Sequence, residues 1–257
     1  MKDPATLIGI GAGFAIIIVS NILEGGDPMS LVIFPPMLLV LGTTLLITVG
    51  GGTMADAKEA VRSVKRAFTG GVAPAGDLVP QVVKLADKAR KEGLLALEDS
   101  LAEIDDPFLV KGVTMAIDGT DPDDVRDILE AELRAKRRDD KQSSKFFTDA
   151  GAYAPTIGIV GTVMGLVHVL ENLSTPETLG PLIASAFVAT LWGVMSANVM
   201  WFPIGHRIKR LGELECARME VAIEGVAAIQ AGANPRLVAE KLRSLLPLAA
   251  GQEKEAA

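Results

Sequence analysis

The sequence predicts an all-α membrane protein of four transmembrane helices in two hairpins, with a large helical cytoplasmic insertion and a helical cytoplasmic tail. Three observations carry this. First, the 257 residues are 49% hydrophobic with a mean hydropathy of +0.35, although 22% are charged, so the charges must be segregated along the chain. Second, residues 4–23, 28–55, 150–170 and 178–206 form charge-free runs of 20, 28, 21 and 29 residues, and the next longest has 11. A helix needs roughly 20 apolar residues to cross about 30 Å of hydrocarbon, and only these four runs reach that length. Third, the 25 Lys and Arg residues are distributed asymmetrically, with 16 in residues 56–149, 8 from Arg207 onward, and Lys2. The two short connections hold none, which places both termini and the long middle segment in the cytoplasm.

The first hairpin, residues 1–55, has spans at about 5–23 and 30–50. Its first run is preceded only by Lys2 and is followed by no A-x-A site, so it reads as a retained span rather than a signal peptide. Pro35 and Pro36 read as inert residues of the second span. In the insertion, residues 56–149, Met54, Ala57, Val61, Val64 and Phe68 repeat at helical spacing. Lys58, Arg62, Lys65 and Arg66 fill the other face, as in a helix lying along anionic headgroups. Gly70, Gly71, Pro74 and Gly76 end it. A second helical stretch runs from Val79 to Ile104, with Gly93 as a joint. Asp121 as N-cap, Pro122 in the first turn and the acidic Asp123 and Asp124 start a helix that runs past Leu133 toward Phe146.

The second hairpin, residues 150–206, has spans at about 151–170 and 181–204. The tail, residues 207–257, begins as a continuation of the last span through Ile204, Ile208, Leu211 and Leu214, and Asn234 with Pro235 starts a short terminal helix.

Composition removes several function classes. One cysteine, Cys216, allows no internal disulfide and no thiolate metal site, and His168 and His206 are distant in sequence. A pI near 5.0 without a basic tract argues against nucleic acid. No nucleophile with a nearby base and no phosphate-binding loop is visible, so the chain does not read as an enzyme.

Within the spans the informative residues are small, hydroxylated or proline. Ala154, Gly158, Gly161 and Gly165 line one side of the third span, and Pro181, Ser185, Ala189, Gly193 and Ala197 recur along the fourth. Such faces let helices approach closely, either within one hairpin or between subunits. Thr162 and Thr190 lie inside adjacent antiparallel spans, where their hydroxyls either bond back to their own helices or line a shared polar path. His168, near the outer end of the third span, is either interfacial or at an ion entrance. Pro155 and Pro203 come at similar depth and permit paired kinks. Trp201 reads as an interfacial anchor. No Asp, Glu, Lys or Arg lies inside any span, so ion conduction would require a carboxylate from another chain.

Four stretches resemble the MotA/PomA family of flagellar stator subunits, within the wider MotA/TolQ/ExbB group. They are Tyr153-Ala-Pro-Thr-Ile-Gly-Ile-Val-Gly-Thr-Val-Met-Gly-Leu-Val-His168, Leu179-Gly-Pro-Leu-Ile, Phe187-Val-Ala-Thr-Leu-Trp-Gly193 and Ala89-Arg-Lys-Glu-Gly-Leu-Leu-Ala-Leu-Glu98. The resemblance implies a complex in the bacterial inner membrane in which a homopentamer surrounds two copies of a MotB-like, single-span, peptidoglycan-anchored partner. Ion flow, of protons or sodium, would turn the ring, and the rotor protein FliG would be the target. No cofactor is implied beyond the transported ion. By this resemblance Arg90 and Glu98 match rotor-contacting charges, Thr190 and Thr162 match ion-path positions, and Pro155 and Pro203 match prolines of conformational coupling. On an unbroken helix Arg90 and Glu98 would lie about 80° apart, on one side. The alternative is a TolQ/ExbB-type motor energising envelope processes.

Overall fold

Helices α1 (Ala5–Leu23), α2 (Phe34–Met37), α3 (Thr43–Gly50) and α4 (Met54–Thr69) form the first quarter of the chain. The remainder comprises α5 (Leu78–Glu92), α6 (Pro107–Ile117), α7 (Pro122–Glu171), α8 (Pro176–Met195), α9 (Phe202–Gln230) and α10 (Pro235–Ser244). The structure, a computed structural model, describes residues 3–246, and among these no strand occurs. The expectations on Lys2 and on residues 247–257 of the tail lie outside the described residues. Contacts divide the chain into one unit of residues 72–139 with 211–246, and another of residues 3–71 with 140–210.

α1, α7 and the continuous helix Pro176–Gln230, which includes α8 and α9, each contain a segment long and apolar enough to cross a membrane. Residues 34–50 form a shorter apolar helix that starts later than the expected position near residue 30. The chain first makes a 3₁₀ turn, Pro28–Leu31, capped by Asp27, whose carboxylate accepts from the Met29 N–H at 2.9 Å. Pro35 and Pro36 then occupy the first turn of α2, where the missing N–H groups would have had no helical partner. They start this helix rather than lying inside it.

Thr53 and Asp56 close a capping box at the start of α4. α4 packs through its small residues. Ala60, Ser63 and Ala67 are buried, while Met54 and Val61 are exposed. Small residues allow close approach, and Arg66 ties α4 to α7 through a forked pair with Asp140, at 2.5 and 3.4 Å. Trp201 also departs from expectation: it is buried and stacked on Phe147 at 6.5 Å, within a cluster that includes Ala150, Ala154, Ile204 and Ile208. It is therefore a core residue. Trp192 instead reaches across to donate its indole N–H to the Leu31 carbonyl at 2.7 Å.

In the unit of residues 72–139 and 211–246, Leu78, Val82, Leu97, Leu109, Val113, Leu129, Val226, Ile229 and Leu242 form one core. The expected continuous stretch from Val79 to Ile104 is broken. Gly93 adopts φ +88° and ψ 166°, a conformation open mainly to glycine, and a 3₁₀ helix, Leu94–Glu103, follows. Asp121 caps α7 by accepting from the Asp123 N–H at 2.9 Å, and Asn234 caps α10 by accepting from the Arg236 N–H at 3.0 Å, both as predicted. Asp106 caps α6 through the N–H groups of Phe108 and Leu109, and also accepts from Arg218 Nε at 2.5 Å.

Glu224 joins three helices of this unit: it pairs with Arg126 and lies 2.6 Å from Lys241. Burial works against its charge, but the two cations outweigh burial and hold its pKa below the usual carboxylate range. A lowered folded-state pKa contributes stability that is fully present above the unfolded value and is lost as pH falls through the folded one. Glu224→Gln is therefore expected to destabilise the protein by about 1 kcal/mol at neutral pH. In thermal melts across pH the gap to the unaltered protein should close on acidification below about pH 4. A gap that persists unchanged through that range would contradict the pairing.

Candidate functional site

Small residues set the geometry of the α7–α8 pair. A Cβ added to Gly193 would lie 2.7 Å from the Ala154 carbonyl oxygen and 3.0 Å from Gly158 Cα. One added to Gly161 would meet Ala189 Cβ at 2.6 Å, and one added to Gly165 would meet Ala186 Cβ at 2.5 Å. Of the two packing modes left open by the sequence, these glycines use contact within the hairpin. Helix association in lipid has little hydrophobic drive between helices, so such close van der Waals contact is what holds the pair.

The same approach brings Thr162 and Thr190 together. Their hydroxyls are hydrogen-bonded to each other. Thr162 Oγ1 also lies 3.2 Å from the Gly158 carbonyl and 3.0 Å from that of Ala186, and Thr190 Oγ1 lies 3.4 Å from the Gly158 carbonyl. Four oxygens thus converge, two hydroxyl and two carbonyl. Two hydroxyl protons serve this set, so it can donate to or accept from a passing water and can offer lone pairs to a cation. Both threonines are half-buried, and Thr190 is bordered along α8 by exposed Ile183, Phe187 and Val194. A hydroxyl edge is therefore set in an apolar stripe. The carbonyls of Gly158 and Ala186 carry no signal in the sequence and became visible only through the pairing of the helices.

The two prolines are differently surrounded. Pro155 lies inside α7, and its Cα is 3.3 Å from the position of a Cβ on Gly193. Pro203 lies at the start of α9 and lines a groove with Thr6, Gly9 and Ile10 of α1. Gly205 packs on the Ser144 carbonyl and Phe147 Cβ, whereas Gly193 packs on Pro155, so the prolines are offset by about two helical turns and do not lie at the similar depth expected. A π-helical segment, Ser196–Trp201, precedes Pro203, and the Phe202 N–H bonds back five residues to Ala197. Because Pro203 has no N–H, the ladder is already interrupted here, and the wider turn is accommodated at that point.

Arg90 lies in the last turn of α5 and Glu98 in the following 3₁₀ helix, on opposite sides of Gly93. The positive φ of Gly93 removes the single-helix relation expected between them. Both are exposed, and neither has a hydrogen bond or ion pair among the described residues. Lys84, Lys88 and Lys91 nearby are engaged with Glu103, Ser100 and Asp87. The His168 ring is exposed on α7, and the His168 carbonyl accepts from Asn172 at 2.8 Å. Among the described residues no three His, Cys, Asp or Glu side chains gather to hold a metal ion.

Comparison with known proteins adds an independent line. Residues 100–221 match the model of the MotA/TolQ/ExbB proton channel family. Motility protein A of Bacillus subtilis (strain 168) is 34% identical over 246 residues, covering 95% of this chain and 91% of the relative. Chemotaxis protein PomA of Vibrio alginolyticus is 34% identical over 244 residues, covering 95% of each. Among solved structures, the flagellar MotAB stator complex from Bacillus subtilis is similar with a TM-score of 0.89 at 34% identity, covering 98% of this chain and 100% of that one. The C. jejuni MotAB structure gives a TM-score of 0.89 at 29% identity, covering 96% of each chain.

The helix contact yields a direct test. Gly193→Ala places a methyl against the Ala154 carbonyl, and overpacking costs about 1–3 kcal/mol, more than the gain of up to about 1 kcal/mol in helix propensity. It should lower the melting temperature of the solubilised protein, whereas Gly180→Ala, whose Cβ meets nothing within 4 Å, should leave it unchanged or raised. Equal effects at the two sites would exclude Gly193 as the contact point.

Proposed function

The chain belongs to the MotA/TolQ/ExbB proton channel family, and on that premise we propose that it is a flagellar motor stator subunit. With a MotB-like partner it forms an ion channel that converts transmembrane ion flow into torque on the rotor. The observation that carries this reading is the Thr162–Thr190 oxygen cluster on an apolar helix face, within the runs 150–170 and 178–206 that hold no Asp, Glu, Lys or Arg. The full-length likeness to motility proteins favours it over an envelope-energising motor.

In this reading residues 34–50 act as a fourth, short span, at about 25 Å of helix, and the chain crosses the inner membrane four times with both termini cytoplasmic. Residues 56–149 and the tail lie in the cytoplasm, and α4 presents exposed Met54 and Val61 to lipid. The partner's single span packs on the stripe of Ile183, Phe187 and Val194 and brings the carboxylate that this chain lacks. An ion passing along the interface exchanges part of its hydration for the hydroxyls of Thr190 and Thr162, while its charge is balanced by that carboxylate. Five such subunits around two partner chains give each ion step a new site on the ring.

The energy available per ion is about 2.3 kcal/mol per 100 mV. That is enough to bias two arrangements of a helix pair and too little to open a packed core. Pro155 against Gly193, and Pro203 beside the π-helical segment, are where the hydrogen-bond ladder is weakest, so small rigid movements of α7 and α9 start there. Arg90 and Glu98, exposed and unpaired, are the charges through which the movement acts on FliG. The carried species is a proton or sodium.

Arg90→Glu and Glu98→Lys are each expected to impair swimming while the membrane complex still assembles; unaltered torque would remove these residues from the rotor contact. Thr190→Ala is expected to reduce ion-driven rotation more than assembly with the partner. Equal loss of both would instead assign Thr190 to packing alone.

A further inference from the structure

We propose that Leu95 is the apolar anchor of the surface carrying Arg90 and Glu98, and that it docks into an apolar pocket on the rotor protein. That pocket is flanked by basic side chains toward Glu98 and an acidic one toward Arg90. The inference rests on reading this surface as the rotor contact and adds an uncharged residue to it.

The geometry begins at Gly93, whose positive φ ends α5 and lets the chain enter the 3₁₀ helix Leu94–Glu103. In a 3₁₀ helix residues three apart eclipse one another. Leu94, Leu97 and Ser100 therefore share one edge, and that edge faces inward: Leu97 and Ser100 are buried and Leu94 packs on the core. Leu95 and Glu98 eclipse on the next edge and are both exposed, while Leu101, at the far end of that edge, turns back onto the core. Leu95 is 74% exposed, more than any other large hydrophobic residue of its unit.

The ridge is held from behind. Lys84 bonds Glu103 at 2.7 Å and Lys88 bonds Ser100 at 2.9 Å, so the 3₁₀ helix is fastened to α5 by two cross-links in addition to Leu97. The lysines of α5 are thereby occupied, and Arg90 is its one cation without a partner among the described residues. Leu95 thus follows the unpaired Arg90 along the chain and shares an edge of the 3₁₀ helix with Glu98, which is also without a partner among the described residues.

Magnitudes assign the roles. Burying a leucine side chain shifts a binding equilibrium by about ten- to a hundredfold, whereas an exposed ion pair shifts it by about fivefold at most. Charges at such a surface steer approach and set register. Leu95 is what holds the partner once it has arrived.

The test uses the full-length chain with its partner in motile cells, comparing Leu95→Ala, Leu95→Met, Arg90→Glu and Glu98→Lys. The readouts are the dwell time of single stator units at the motor, the abundance of the membrane complex, and its oligomeric state. Leu95→Ala should shorten dwell by about tenfold with abundance and oligomeric state unchanged, and Leu95→Met should retain most of it. A native dwell time for Leu95→Ala, with rotation lost in the charge variants, overturns the anchor and leaves the rotor contact standing. If all four variants rotate normally, the rotor-contact reading itself fails. Loss of the oligomer in Leu95→Ala would assign the residue to contact between copies and also overturn the proposal.

Discussion

The missing side chains of Gly158 and Gly193 are the constraint on which the rest of the site depends. With a Cβ at either position the backbones of α7 and α8 could not approach as they do, since the nearest atoms are main-chain atoms that cannot turn aside. Because they do approach, Thr162 reaches the Ala186 carbonyl of the opposite helix, and the two threonine hydroxyls meet. A polar cluster in an apolar environment has to satisfy itself, and this one does so with groups that belong to the two helices. Its protons are few, its oxygens many, and it has no charge.

That neutrality sets the division of labour in the proposed complex. An ionisable side chain at the centre of a bilayer costs about 2.5–3.5 kcal/mol on insertion scales, and this chain places its charges elsewhere. Asp3 with Arg207 at 2.8 Å and Arg66 with Asp140 at 2.5 Å lie beside the apolar segments. Arg90 and Glu98, without partners among the described residues, lie in the other unit. In the proposed complex such a subunit would offer an ion a hydroxyl edge and a rotor a charged one, and would depend on another chain for the group that binds the ion.

Much of the fold was legible because its signals are local. Charge-free length marked the apolar helices, and Asp121 with Pro122 and Asn234 with Pro235 marked two helix starts by chemistry that acts within three residues. The break at Gly93 was weaker in the sequence: Leu94, Leu97 and Leu101 fit an α-helix about as well as a 3₁₀ helix, and only the positive φ decides. On α4 the packing of Ala60, Ser63 and Ala67 and the Arg66–Asp140 fork had no sequence signal as plain as the periodicity of Met54 and Val61. Of the site, the threonines were visible as residue types in antiparallel segments. Their acceptors were not, because Gly158 and Ala186 contribute main-chain oxygens, and which small-residue faces meet is decided only in three dimensions.

The central claim is that this chain shapes an ion path without supplying the ion-binding carboxylate. It is tested most directly by measuring ion flux across the membrane of cells or vesicles holding this chain alone, the chain with its single-span partner freed to conduct, and the chain with that partner's in-span carboxylate replaced by an amide. Flux is expected only in the second case. Robust conductance from this chain by itself would contradict it.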